Sequence, residues 1–224
     1  DRIARAQKTL GDWAVEYKLL EEGQGFEGEL FGYARHLLRA AQEGPRPDGE
    51  RLEEYRDSAR ESFEFGLFAE QPIYEDLEIL RLTDSLTALA ECLGRSHPLV
   101  EKVLDGKSPR ERAAAAVHST RLASPEIRRQ LCQGGMDAIN QAEDPMIELA
   151  RATDAEARAV RKVIETQREA VQQAHARIEK ARYTLGGDDL YPDATFTLRL
   201  AFGTVKGYVE GNRVVPFQTT FGGL

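Results

Sequence analysis

The chain has 224 residues, of which 41% are hydrophobic and 30% charged, and a formal net charge of −8. That composition supports a packed core in one or two domains. It argues against nucleic-acid binding, which needs clustered Lys and Arg, and no stretch approaches the ~18 apolar residues of a membrane-crossing helix. No signal peptide is visible.

Most of the chain reads as helix. Ile3, Ala6, Leu10, Trp13, Tyr17 and Leu20 recur at three- and four-residue steps, predicting a helix over Asp1–Glu22 that Gly23 and Gly25 end. Leu30, Phe31, Ala34, Leu37, Leu38 and Ala41 mark a second, from about Phe26 to Glu43. Two prolines and two glycines make Gly44–Gly49 a loop. A third helix is expected over Glu50–Phe65, a fourth from Ile73 to about Leu93 and a short one over His97–Leu104. Ser108-Pro109-Arg110-Glu111 is a helix start with a capping box. Ser124-Pro125 and Asp144-Pro145 repeat the device, which implies short, sharply turned helices. The longest element is expected from Asp154 to about Leu185, closed by Gly186-Gly187.

The character changes after Gly187. In Tyr191–Tyr208, YPDATFTLRLAFGTVKGY, the apolar residues Phe196, Leu198, Leu200 and Phe202 alternate with Thr195, Thr197, Arg199 and Ala201. A period of two predicts a strand with one buried face. Gly203 interrupts it, Val205 to Val209 resumes it, and Glu210-Gly211-Asn212-Arg213 is a hairpin turn leading to Val214, Val215 and Phe217. The fold class is therefore mainly α: a helical domain over residues 1–187, followed by a short antiparallel β segment over 188–224. Unpaired strand edges there leave room for a homodimer.

The sequence offers no candidate catalytic, cofactor-binding or metal-binding residue. His36, His97, His118 and His175 share no i, i+3 or i+4 spacing, so an HExxH zinc motif is absent. His36 and His175 read as helix-surface or half-buried residues. Ser58, Ser62, Ser85, Ser96, Ser108, Ser119 and Ser124 include no nucleophile elbow. Gly134-Gly135 and Gly222-Gly223 lack the Lys-Ser/Thr of a phosphate loop. Glu75, Asp76 and Glu78 read as acids favoured at a helix start rather than a carboxylate dyad. Tyr33, Arg35, Arg39, Arg51, Tyr55, Arg56 and Asp57 fit either an interhelical polar network or a surface facing a substrate. Cys92 and Cys132 lie in apolar helical stretches and read as buried thiols; whether they pair is open.

YPDATFTLRLAFGTVKGY resembles a segment of the bacterial dipeptidyl-peptidases 7 and 11, serine peptidases of family 46. Leu30–Arg39 (LFGYARHLLR), Glu54–Ser58 (EYRDS), Pro72–Tyr74 (PIY), Gly106–Arg110 (GKSPR) and Asp144–Arg151 (DPMIELAR) fall in the same order as in that family. The resemblance implies a chymotrypsin-like double β-barrel with a His/Asp/Ser triad and an inserted helical domain that caps the cleft. It implies release of dipeptides from free N-termini, no cofactor, and a periplasmic or cell-envelope location. On that comparison the chain is an excised fragment: the cap (1–187) plus the start of the returning barrel (188–224), without the triad and inactive by itself. Its partners would be peptide substrates with a free N-terminus and the rest of the barrel. The rival reading is a non-enzymatic helical scaffold or partner-binding module, which would have no use for the Tyr191–Tyr208 strand pattern.

Overall fold

A computed structural model describes residues 1–186 and 202–218. The chain is mainly α-helical, with a short two-stranded antiparallel sheet near its end. Two compact units are present, Asp1–Ile178 and Glu179–Leu224.

The first unit opens with α1 (Arg2–Asp12), which breaks at Trp13 (φ −107°, ψ 5°). The chain then resumes as α2 (Ala14–Glu16), which widens into a π-helical turn over Tyr17–Glu21. The single helix expected over Asp1–Glu22 is thus interrupted. Gly25 donates its N–H to the Leu19 carbonyl at 2.9 Å. A Cβ on Gly25 would lie 2.9 Å from that oxygen, so only glycine lets the chain turn so tightly there. Helix α3 (Glu29–Glu43) follows and buries Leu30, Phe31, Ala34, Leu37, Leu38 and Ala41, the stripe expected from the sequence.

Residues 50–65 do not form the expected single helix. Isolated 3₁₀ turns occupy Asp48–Glu50, Glu53–Tyr55 and Asp57–Ala59, and α4 begins only at Arg60 and runs to Phe68. Leu52 and Arg56 between the turns are extended, with ψ of 141° and 158°. Carboxylates capture the backbone here. Glu43 Oε2 accepts from the Leu52 N–H at 2.9 Å, and Asp48 Oδ1 from the Asp57 N–H at 2.7 Å. Such side-chain bonds compete with the helical ladder and win when both acids are held in place.

Helices α5 (Glu75–Leu93), α6 (Pro98–Leu104), α7 (Pro109–Ser119) and α8 (Pro125–Gln141) follow near the expected positions. The capping box is formed: Ser108 Oγ accepts from the Glu111 N–H at 3.3 Å, and Glu111 Oε2 accepts from the Ser108 N–H at 2.9 Å. Gly135 (φ 58°, ψ −147°) breaks α8 internally. The principal packing is α5 on α7 and α3 on α8, with α4 also against α8. Leu82, Leu86 and Leu89 of α5, Val100 and Val103 of α6, and Ala113 and Val117 of α7 share one core with α3.

Asp144-Pro145 starts no short helix. It opens α9, Pro145–Gly186, which merges the third cap-proline start with the long helix expected only from Asp154. Asp144 is buried and accepts from the Thr120 hydroxyl, the Arg121 N–H and the Met146 N–H, each at 2.9–3.0 Å. One carboxylate therefore ties the end of α7 to the start of α9. Met146, Ile147, Leu149 and Ala150 bury the first turns, continued by Ala157, Val160 and Ile164.

In the second unit, β1 (Tyr208–Glu210) pairs antiparallel with β2 (Arg213–Val215), matching Tyr208 to Val215, Val209 to Val214 and Glu210 to Arg213. The turn is the expected Gly211-Asn212, and Gly211 has φ 59°. The strand expected over Phe196–Phe202 falls on residues outside those described, apart from Phe202, which is exposed.

Candidate functional site

Of the polar residues singled out in the sequence, Arg51 and Asp57 pair with each other at 3.0 Å and Arg35 donates to the Glu21 carbonyl at 2.9 Å, while Arg39 and Tyr33 lead to two different sites. Arg39 is 2% exposed on the inner side of α3. Its terminal nitrogens donate to Glu21 Oε1 and Oε2 at 2.9 and 2.6 Å, and its Nε to Asp154 Oδ1 at 2.6 Å. Asp154 Oδ2 accepts from Arg158 Nε at 2.8 Å, and Arg158 reaches Glu43 Oε1 and Gln42 Oε1, both at 2.7 Å. Arg161 closes the network on Glu54 and on Glu21, the latter at 3.1 Å. Burial works against the charge on Arg39, but the hydrogen bonds and field of Glu21 and Asp154 outweigh it and hold the guanidinium protonated. The Glu43 and Glu54 carboxyls are likewise pushed up by burial and pulled further down by Arg158 and Arg161, ending below the usual carboxylate range. The hub joins the π turn, α3, the 3₁₀ segment and α9, and its chemistry is structural because every charge has a counter-charge.

Tyr33 belongs elsewhere. Its ring lies under the guanidinium of Arg128, 3.9 Å from the centroid. Nothing local in the sequence marks Arg128, yet it is 1% exposed and donates to the carbonyls of Leu67, Ala69, Leu122 and Ala123 at 2.7–3.1 Å. The first two close the C-terminal end of α4, where the helix dipole favours a cation.

Tyr33 also lines a cleft of about 530 Å³ between two helical stripes. Glu29, Gly32, Tyr33 and His36 of α3 form one wall, and Ser62, Phe63, Gly66 and Leu67 of α4 the other. Residues 29, 32, 33 and 36 follow the i, i+3, i+4, i+7 spacing of a single helix face, as do Ala59, just before α4, and residues 62, 63 and 66, with Leu67 beside them. At one end His36 Nδ1 is hydrogen-bonded to the Tyr55 hydroxyl at 3.0 Å, and Phe63 packs edge-on against both rings. Burial, seconded by Arg35 and Arg39, pushes His36 down to about 4, so the ring is neutral at neutral pH. Burial raises the Tyr55 and Tyr33 phenols, which stay protonated. The Tyr33 hydroxyl is buried and has no hydrogen-bond partner. Gly32 and Gly66 have ordinary helical backbones, and a Cβ on either would meet nothing within 4 Å. A mid-helix glycine costs about 1 kcal/mol relative to alanine, and neither backbone nor packing here requires one.

Among the described residues no three of His, Cys, Asp and Glu cluster as metal ligands, and no serine is hydrogen-bonded to a histidine. Ser85 instead accepts from the Glu27 N–H at 3.1 Å and donates to the Leu82 carbonyl, while Ser108 and Ser124 cap helices. His97 caps α6 through Nδ1, and exposed His118 pairs with Glu75 at 3.3 Å. Of the three acids at the start of α5, Glu78 does something the sequence did not show. It is buried and accepts from the Glu29 and Leu30 N–H groups at 3.2 and 3.0 Å, so it caps α3 from a neighbouring helix. The expectation of two buried thiols is corrected. Both cysteines are free; Cys92 is exposed, because it lies off the Leu82–Leu86–Leu89 face, and Cys132 is half-buried. No helix is long and apolar enough to cross a membrane, among the described residues.

Comparison with protein-family models matches residues 1–224 to one model, and the class it defines is a peptidase. The family is Peptidase S46, and the chain belongs to it. Comparison with curated proteins gave no match.

Proposed function

We propose that this chain is the helical cap of a serine-type dipeptidyl aminopeptidase, whose triad is carried by barrel sequence outside these residues. The observation that carries the reading is membership of the Peptidase S46 family across residues 1–224. The structure supports it in two ways. The helical unit is cross-braced by a buried ion-pair hub, and stiffness is what a steric cover requires. Ser85, Ser108 and Ser124 are spent on packing and capping, and among the described residues no serine is hydrogen-bonded to a histidine that could serve as its base.

In this reading the triad attacks the carbonyl that follows the second residue, and the cap closes the cleft beyond the substrate's amine. Longer N-terminal extensions then have no room, which sets the cut at a dipeptide. Proton transfer and nucleophilic attack need no cofactor. The proposed setting is the bacterial periplasm or cell envelope.

The test has two arms. The 224-residue chain, treated with a serine-reactive fluorophosphonate, should show no labelling and no turnover of dipeptidyl fluorogenic substrates. The complete parent enzyme should release dipeptides from free peptides and none from N-acetylated ones. Labelling of the chain, or cleavage of blocked peptides by the parent, would reject the proposal. A non-enzymatic scaffold would be inert in both arms.

A further inference from the structure

The cleft between α3 and α4 is kept open by the sequence. Gly32, half-buried, and Gly66, exposed, both line it, and a side chain on either would meet nothing within 4 Å. Alanine would serve both helices better, so the missing side chains are accounted for by the room they leave. At 94% burial, the complement of its 6% exposure, Tyr33 lines the same space with an unpartnered hydroxyl. Buried polar groups without a protein partner are rare, and one that lines a cavity is open to a water or a ligand atom.

The lining contains no lysine or arginine, although the Arg128 guanidinium stacks on its Tyr33 ring. Its carboxylates are Glu54, which is held by Arg161, and solvent-exposed Glu29, which pairs with no cation among the described residues. Phe63, Leu67 and Ala59 supply an apolar floor. We propose that this cleft is a binding site for a primary ammonium on an apolar body, the body lying on Phe63 and Leu67 between Gly32 and Gly66, the ammonium beside Glu29, and a polar atom of the ligand on the Tyr33 hydroxyl. The site lies wholly within the first unit, and its geometry does not depend on where the triad lies. His36 at the end of the cleft is neutral at neutral pH and adds no positive charge against such a ligand.

The probes are 2-phenylethylamine, its charge-reversed counterpart 3-phenylpropionate, the dipeptide phenylalanyl-glycine and N-acetyl-phenylalanyl-glycine, titrated into the full chain by calorimetry at neutral pH. Saturable binding of 2-phenylethylamine at one site is expected, with 3-phenylpropionate at least about tenfold weaker. Binding of the free dipeptide but not its acetylated form would identify a peptide N-terminus as the source of the ammonium, and failure of both dipeptides a free amine. Gly66→Leu fills the cleft with a good helix former and should abolish binding. Glu29→Gln and Tyr33→Phe, which need no repacking, should each weaken it about fivefold. Absence of saturable amine binding, equal affinity for the carboxylate, or affinity unchanged in both Glu29→Gln and Tyr33→Phe would overturn the site. None of these outcomes bears on labelling or turnover, so the site and the proposed function fail separately.

Discussion

Arg128 stacks on Tyr33, its guanidinium carbon 3.9 Å from the ring centroid, with no carboxylate in hydrogen-bonding contact. A buried cation without an anion is costly. Four backbone carbonyls and one aromatic face offset the cost here, and they do so because the guanidinium is flat and presents donors along two edges.

Lysine cannot reproduce that arrangement. Its single nitrogen cannot reach Leu67 and Ala69 on one side and Leu122 and Ala123 on the other. Arg128→Lys should lose at least two charge-assisted bonds and destabilise the helical unit by about 2–4 kcal/mol. Urea unfolding followed by circular dichroism measures this. A Lys variant within about 0.5 kcal/mol of the parent would show that the carbonyls are satisfied by water instead.

Glu78 caps α3 across helices, and Gly28 makes room for it. Gly28 sits at φ 149°, and a Cβ there would lie 2.8 Å from Glu78 Oε2. Glu78→Gln keeps the size but replaces one acceptor oxygen with a donor. One of the two N–H groups, Glu29 or Leu30, is then left facing an NH₂. The expected loss is about 1–3 kcal/mol, the cost of an unsatisfied buried donor. The same denaturant series reports it, and an unchanged midpoint would count against the cap.

The hairpin should be the least protected described segment of regular structure. Tyr208, Val209 and Val214 are all more than half exposed, and a two-stranded hairpin is marginal alone. Amides of residues 208–215 should exchange at least about 100-fold faster than those around Val160 and Ile164, which are buried in the core. Comparable protection in hydrogen-exchange mass spectrometry would mean the strands are covered by a further partner, such as a second copy.

The parts of this fold that could be read in advance are those decided by neighbours in sequence. The Ser108–Glu111 box, the apolar stripe of α3 and the Gly211-Asn212 turn need only residues a few positions apart. The parts that could not are decided at long range. Residues 50–65 look helical until Glu43, at the end of another helix, captures the Leu52 N–H. Arg39 and Asp154 are 115 positions apart, and nothing local marks them as partners. The i, i+4 pairs Asp154–Arg158 and Arg161–Glu165 were readable as helix-surface pairs, yet they belong to the hub. The cleft followed the same rule. The 29/32/33/36 and 59/62/63/66 stripes are visible as helical spacing, but not that the two stripes face one another.

His36 should make stability depend on pH in a window where few other groups act. Its folded value lies near 4, below an unfolded value of 6.5, so the unfolded chain takes up the proton first as pH falls. Its contribution is therefore fully present above the unfolded value and is lost progressively as pH falls through the folded one. Glu43 and Glu54, whose folded values are also depressed, act lower, below the ordinary carboxylate value of 4.5. Between about pH 7.5 and about pH 5 His36 alone should remove about 2 kcal/mol from the unfolding free energy. His36→Gln stays neutral throughout and can still bond the Tyr55 hydroxyl. It should flatten the curve over that range while leaving the slope below the carboxylate range in place. The measurement is urea unfolding of both proteins at half-unit steps of pH. A parent curve that is flat between those limits, or a Gln variant that keeps the full slope, would show that His36 is protonated in the folded state and that its burial does not exclude the charge.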